Sequence, residues 1–389
     1  MRSLTGAREK REVAELISLS GTPCRLELRV NAIDLSVWGY GPFFSESFLA
    51  IARPDWAPAR VLANWGARLA IAGARATEAR PSGRLRHDSL ERELPTVGDW
   101  VAITDDPGGI AIIHKVLPRR TELVRRAAGQ KDVEQVVAAN VDTFFIVTSA
   151  NRDANPKRLE RYLTAVWDSG ATPVVVINKI DLVSPEELQR EITTLAPHAP
   201  GAPIIGVSAR TGEGVDELVS SIDPGKTFAM IGSSGVGKSS LVNRLLGTAT
   251  QTVLGIDEND RGRHTTTHRE LFALDNGTLA IDTPGMRSFG LLDADEGLDR
   301  TFSDIAALAD GCRFRDCRHE DEPGCAVFAA IEAGELSLDR LESAQKLERE
   351  LAAIDRRRDP ALMRAHKERW RAVHMAQRAR KKVDPKLVR

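Results

Sequence analysis

The sequence predicts a multi-domain chain: an N-terminal β-barrel of the OB type, a central α/β region, and a C-terminal, mostly helical region tied by a Cys/His cluster. Three observations predict it. Short β-patterned runs broken by Gly, Pro and Asp occupy 58–118. Buried-strand and helix patterns then alternate on both sides of Gly232–Ser239. Three of the four cysteines crowd with one histidine into fourteen residues, 312–325. The expected boundaries are 1–33 for a variable, disordered extension, 34–118 for the barrel, 119–298 for the α/β region, and 299–389 for the helical region with its tail.

A length of 389 residues suits two or three domains, each able to bury a core. Lys+Arg 54 against Asp+Glu 55 leaves no average charge from which to infer a partner. The distribution is more informative, because 356–389 carries 13 Lys/Arg against 3 Asp/Glu, a basic tail. No apolar run approaches the ~20 residues of a membrane span, and the start lacks a secretory apolar segment. Clustered cysteines read as metal ligands in a reducing compartment, not as a disulfide framework. A cytoplasmic protein with no membrane partner is expected.

Residues 1–33 are polar and weakly patterned, and Cys24 stands there alone as an ordinary thiol. Arg60–Trp65, Ala67–Ile71, Asp99–Ile103 and Ile110–Val116 are short runs separated by turn residues. About five strands in about sixty residues suit a small closed barrel. Ser82–His87 adds basic residues on a turn, which fits either contact with an RNA backbone or a solvated loop. After Leu117–Arg120 a linker rich in Arg and Glu is expected.

Thr143–Thr148, Thr172–Ile177 and Pro203–Val207 read as buried strands. Helices are expected from Pro156 to Trp167, after the capping box Ser184–Glu187, and from Gly214 to Ile222. Strands alternating with helices predict a mostly parallel sheet covered on both faces.

Gly232-Ser233-Ser234-Gly235-Val236-Gly237-Lys238-Ser239 fits G-x-x-x-x-G-K-[ST], with a buried strand before it and a helix from Ser239 through Ser240 to Leu246. Its glycines let several N–H groups converge on one anion. Lys238 can reach β/γ-phosphates, and the Ser239 hydroxyl can join a Mg²⁺ shell. A glycine-rich turn alone would be only a turn, but strand, motif and helix together specify a nucleotide site.

Asn178-Lys179-Ile180-Asp181 follows the second strand. An Asp in N-K-x-D accepts from guanine N1–H and its 2-amino group, a donor pair that adenine lacks, so the motif selects GTP over ATP. Ser208-Ala209 follows the third strand and suits support of the guanine carbonyl. Ligands of open α/β sheets bind at such carboxyl ends. Leu279–Ile281 runs into Asp282-Thr283-Pro284-Gly285, where Asp282 suits Mg²⁺ through water and Gly285 N–H the γ-phosphate.

Gly262–Thr267 lies between the two phosphate motifs and reads as a switch loop, one of whose threonines completes the Mg²⁺ shell. The guanine motif precedes the phosphate loop, reversing the usual order: the α/β region reads as a circularly permuted GTPase domain. Met286 stands where many GTPases carry a water-orienting Gln, and thioether sulfur cannot do that work. His264 is the nearest group able to place the water.

Cys312-x₄-Cys317-x-His319-x₅-Cys325 supplies three thiolates and one imidazole. Four N/S ligands with no open position describe one structural Zn²⁺. Leu338–Ile354 is helically periodic, and 357–382 carries Lys/Arg around Trp370, fitting a phosphate-rich surface or a solvated helix.

These residues together resemble the ribosome small-subunit-dependent GTPase A family (RsgA, also called YjeQ). The resemblance spans roughly 34–385 and rests on Val97–Trp100, Gln135–Asp142, Asn178–Asp181, Gly232–Ser240, Gly262–Thr267, Asp282–Gly285 and the Cys312/Cys317/His319/Cys325 knot. It implies a GTP hydrolase that uses GTP/GDP, Mg²⁺ and zinc, binds the small (30S) ribosomal subunit and its 16S rRNA late in assembly, and leaves on hydrolysis. It further implies a hydrolytic role for His264 and makes Thr266 the switch threonine beside Mg²⁺. A monomer that binds RNA through its barrel and basic C-terminal region is expected. The competing reading is an RNA-binding module that holds GTP as a structural ligand without turnover.

Overall fold

The computed structural model of the protein describes residues 34–126, 134–150, 154–247, 269–282, 295–320 and 322–358. The 1–33 extension with Cys24, the switch loop with His264 and Thr266, the segment with Gly285 and Met286, and the tail beyond 358 with Trp370 lie outside the described residues.

Helix α1 (Pro42–Leu49) precedes the barrel strands β1 (Trp56–Asn64), β2 (Leu69–Ala72) and β3 (Glu78–Pro81). Helix α2 (Gly83–Asp88), β4 (Trp100–Thr104) and β5 (Ile110–Val116) complete the unit. The pairings β1–β2, β2–β3, β3–β5, β5–β4 and β4–β1 close a cycle, so the predicted five-strand barrel is present. Its interior is filled by Ala59, Val61, Leu69, Ile71, Val101, Ile103 and Ile113, alternate residues along each strand. Phe44 and Phe48, four apart on α1, pack with Trp56, Trp100 and Leu117 against the outside of the barrel.

Two local expectations change here. Ser82–His87 is no turn: the Ser82 hydroxyl accepts from Leu85 N–H at 3.1 Å and caps α2. The expected linker after Arg120 instead forms an antiparallel hairpin, β6 (Glu122–Arg126) and β7 (Glu134–Ala139). Its charged ends conceal a core side, Leu123 with Val137 and Ala138, each at most 2% exposed.

The α/β region follows as β8 (Thr143–Ser149), α3 (Pro156–Asp168), β9 (Thr172–Asn178), α4 (Pro185–Leu195), β10 (Ile204–Gly206), α5 (Val215–Ser220), β11 (Thr227–Gly232), α6 (Lys238–Gly247), β12 (Glu270–Ala273) and β13 (Leu279–Asp282). Space order is β10-β9-β8-β11-β13-β12, parallel except for β12. Strand β12 also pairs with β1 at Glu270 and Ala63, so barrel and α/β sheet are continuous. Parallel register brings the carboxyl ends of β8, β9, β11 and β13 to one edge, where the chemistry gathers.

Helices α7 (Asp295–Thr301), α8 (Ser303–Ala309), α9 (Ala326–Glu332) and α10 (Leu338–Arg358) follow. Helix α7 packs against α3 at Gly297, where a Cβ would lie 2.0 Å from the Thr164 carbonyl oxygen. Leu341, Leu347 and Leu351 of α10 join Leu159, Tyr162 and Phe302 in the shared core. No described helix is long and apolar enough to cross a membrane.

Candidate functional site

Strand β11 delivers the glycine loop. Gly232 has φ +142°, and a Cβ there would stand 2.1 Å from the Val147 carbonyl of β8; Gly237 has φ +98°, and its Cβ would stand 2.2 Å from the Asn178 amide. Both positions therefore need glycine. Val236, 1% exposed, roots the loop in the core. Ser234, Gly235, Ser239 and Ser240 are exposed around it. The Lys238 ammonium donates to the carbonyls of Gly232 at 2.7 Å and Ser233 at 2.6 Å, which holds its charge over the loop. A glycine loop leading into the start of α6, with a lysine held over it, is an arrangement able to cradle an anion.

The N-K-x-D and Ser208–Ala209 segments arrive from two other strands. Asn178 ends β9, is 1% exposed, and uses both ends of its amide on protein. Its Nδ2 donates to the Val236 carbonyl at 2.8 Å, and its Oδ1 accepts from Ala209 N–H at 3.0 Å. Asn178 thus acts as a brace linking the glycine loop, the N-K-x-D segment and the Ser208–Ala209 loop. Lys179, with φ +66°, extends to donate to the Gly235 carbonyl at 2.6 Å. The Asp181 carboxylate accepts from the Ser208 hydroxyl at 2.5 Å and from Arg210 Nε at 2.8 Å. The Ser208 bond, helped by Arg210, holds the Asp181 pKa below its ordinary value. Such a group stays ionised at neutral pH and can accept two N–H donors.

Asp282 ends β13, one residue beyond the Ile281–Ala229 pair with β11, at the same edge of the sheet from which the glycine loop leaves β11. Motifs far apart in sequence therefore share one edge of the sheet. His264, Thr266 and Gly285 lie outside the described residues. Two residues in this site were not marked by any motif. Arg158, in the first turn of α3, donates to the Ser233 hydroxyl at 2.5 Å. Arg210 pairs with Asp181. Arginines in helix turns and loops look like ordinary surface charge, and nothing in the local pattern singles them out.

The second cluster lies between α8 and α9. The ligand atoms of Cys312, Cys317, His319 and Cys325 all lie within 4.8 Å of one another. Cys312 Sγ is 3.6 Å and Cys325 Sγ 3.4 Å from His319 Nδ1, and the two sulfurs are 4.0 Å apart. A tetrahedral Zn²⁺ with Zn–S near 2.3 Å requires S···N and S···S edges of about 3.5–3.8 Å. The donor set fits that ion and leaves no open position. His319 adopts φ +56° and Gly324 φ +84°, tight turns that bring the ligands together. Glu322 accepts N–H bonds from Arg318 at 2.9 Å and Glu320 at 3.0 Å, which fix the knuckle and hold its carboxyl at a pKa of about 2.

The profile of the RsgA GTPase family matches residues 116–292. The chain is 45% identical over 369 residues to the small ribosomal subunit biogenesis GTPase RsgA of Opitutus terrae, covering 90% of this chain and 99% of that one. It is 46% identical over 294 residues to RsgA 1 of Listeria monocytogenes, covering 75% and 83%. Among solved structures it resembles YjeQ from Thermotoga maritima, with TM-score 0.57 and 29% identity over 76% of this chain and 98% of that one. It also resembles YloQ, a circularly permuted GTPase, with TM-score 0.54 and 25% identity over 78% and 96%.

Proposed function

The chain belongs to the RsgA GTPase family, and on that premise we propose that it binds the small ribosomal subunit late in its maturation, hydrolyses GTP when that subunit stimulates it, and then dissociates. GTP hydrolysis itself comes with the family. The observation that carries the site assignment is the Asn178 brace, which joins the base-selecting and phosphate segments despite their permuted order.

In this reading Asp181 takes guanine N1–H and the 2-amino group, with Ser208 orienting its carboxylate and the Ala209 loop beside the base. Lys179 flanks the base, and the N–H groups of 233–239 with Lys238 hold the phosphates. Mg²⁺, when bound, neutralises charge developing between β- and γ-phosphates. Ser239 and Thr266 are the hydroxyls that would hold it, with Asp282 acting through water. Gly285 N–H meets the γ-phosphate, and His264 orients the attacking water where Met286 cannot. Loss of the γ-phosphate releases the loop around Thr266 and the segment after Gly285, which leads directly into α7 and the metal knuckle.

The proposed division is RNA contact by the barrel of 34–118, nucleotide chemistry by 119–298, and a zinc-stabilised helical region with a basic tail in 299–389. Cys312, Cys317, His319 and Cys325 would hold zinc with four protein ligands, so the ion would fix that knuckle and supply no chemistry to hydrolysis. The protein works as a cytoplasmic monomer on 16S rRNA.

Phosphate release from GTP, measured with purified small subunits and with large subunits as control, tests this. Acceleration by small subunits alone, absent with ATP, is the expected result. GTP binding without any turnover in their presence would replace this reading with that of a non-hydrolysing RNA-binding module. His264→Ala should abolish the stimulated rate while leaving GTP affinity within about twofold; an unchanged stimulated rate removes His264 from the mechanism.

A further inference from the structure

The carboxylate assigned to guanine already has a partner. Asp181, with a side chain 9% exposed, accepts from Arg210 Nε at 2.8 Å on Oδ2, while Ser208 Oγ holds Oδ1. Arg210 is 73% exposed, so its side chain has solvent to move into. Its backbone does not. Ala209 N–H is tied to Asn178, Thr211 N–H to the Ser208 hydroxyl at 3.1 Å, and Gly212 N–H to the Ser208 carbonyl at 2.8 Å. From α6, Arg244 donates to the carbonyls of Arg210 at 3.3 Å and Thr211 at 2.7 Å. A pinned loop thus carries one swinging group.

The chemistry of that group matches the base. The edge of guanine that Asp181 reads, N1–H with the amino group on C2, is itself a guanidine fragment: a planar carbon bearing N–H donors. Arg210 presents the same planar N–H donors to the same carboxylate. We propose that Arg210 is a built-in competitor for the guanine subsite, occupying Asp181 in the nucleotide-free protein and displaced when GTP or GDP binds. This rests on the guanine assignment of Asp181. It makes Arg210 a determinant of guanine affinity that adenine nucleotides, which have no use for Asp181, would not register.

The size of the effect follows from pre-equilibrium. Apparent affinity falls by the fraction of protein in which the subsite is open, and an exposed ion pair is worth about a two- to fivefold bias toward the closed form. Salt screens the pair, so wild-type affinity should approach that of a variant without it as ionic strength rises.

The test is titration and stopped-flow binding of fluorescent GDP to the full chain as wild type, Arg210→Ala and Arg210→Gln, with fluorescent ADP in parallel. Both variants are expected to bind GDP about three- to sixfold more tightly, through faster association, with ADP unchanged. The gain should shrink between about 0.01 M and about 1 M salt, over which the screening length falls from about 30 to about 3 Å. Unchanged or weaker GDP binding in both variants overturns the proposal, and weaker binding would instead make Arg210 a contact that supports the bound base. A wild-type chain with no preference for GDP over ADP would remove the guanine assignment itself, and the competitor with it.

Discussion

Arg60 Nη2 donates to the Thr227 hydroxyl at 2.9 Å, tying a barrel strand to the first residue of the strand that carries the phosphate loop. The guanidinium is 2% exposed and also donates to the carbonyls of Gly98, Asn140 and Trp38. Among the described residues it has no ion-pair partner; carbonyls, one hydroxyl and the Trp100 ring, 5.7 Å away, surround it instead. Burial lowers its pKa to about 10, the cost of holding a charge at a junction.

Replacing Arg60 by Ala should therefore lower stability by roughly 3–5 kcal/mol, since several buried acceptors lose their donor at once. The expected readout is a drop of about 10 °C in the thermal midpoint. Arg60→Lys should recover little of it, because a single ammonium cannot span the same acceptors. A midpoint within about 2 °C of wild type for Arg60→Ala, a shift worth under about 1 kcal/mol, would show that the junction does not depend on it.

Asp181 and Asn178 should separate selectivity from scaffold. Asp181→Asn turns one acceptor into a donor facing guanine N1–H. GTP affinity should fall about a hundredfold or more, roughly 3 kcal/mol, while xanthine nucleotides, which carry a carbonyl at C2, gain. Asn178→Ala removes the brace to Val236 and Ala209 and should weaken GTP about tenfold with GTP-over-ATP preference retained. Competition binding with the three nucleotides reads both. A change of preference in Asn178→Ala would mean that its amide contacts the base.

Glu160 on α3 is fully buried and accepts from Arg340 Nη1 at 2.9 Å, pairs with His198 at 2.6 Å, and takes the Ser343 hydroxyl. Arg340 also clasps Asp304 at 2.6 and 2.7 Å and the Thr301 carbonyl at 2.8 Å. Breaking one member of a buried network costs about 3–5 kcal/mol. Arg340→Ala should thus loosen α7, α8 and α10 from α3, seen as faster amide exchange in 295–309 and 338–354. Exchange confined to α10 would show that Asp304 is held by other means.

Stripping zinc, by chelator or by Cys317→Ser, should open the knuckle while sparing nucleotide binding, because the two sites stand on different elements. One zinc per chain should be released on thiol modification. Proteolysis should then cut near 312–325, where Cys325, one of the four clustered donors, also caps α9 by accepting from Phe328 N–H at 3.4 Å. A metal-free chain with unchanged proteolysis would mean that the fold of the knuckle does not depend on the ion.

Local patterns in the sequence were sufficient for much of this. The buried runs of β8, β9 and β11, the Ser184 capping box with its 2.8 and 3.2 Å bonds, the glycine loop and the Cys/His cluster are all written in spacing. Periods of two and 3.6 residues, and ligands a few residues apart, constrain structure without distant partners. The barrel was legible except at β3, where Glu78–Pro81 has little alternation and forms a strand through parallel pairing with β5. The hairpin β6–β7 escaped because its charged ends read as linker. Tertiary structure alone decided that β1 and β12 join two sheets into one, and that Arg60, Arg210, Asn178, Glu160 and Arg340 are structural partners. Their bonds span roughly 30 to 180 residues of chain, and a polar side chain paired across such a distance carries the same local signature as one facing water.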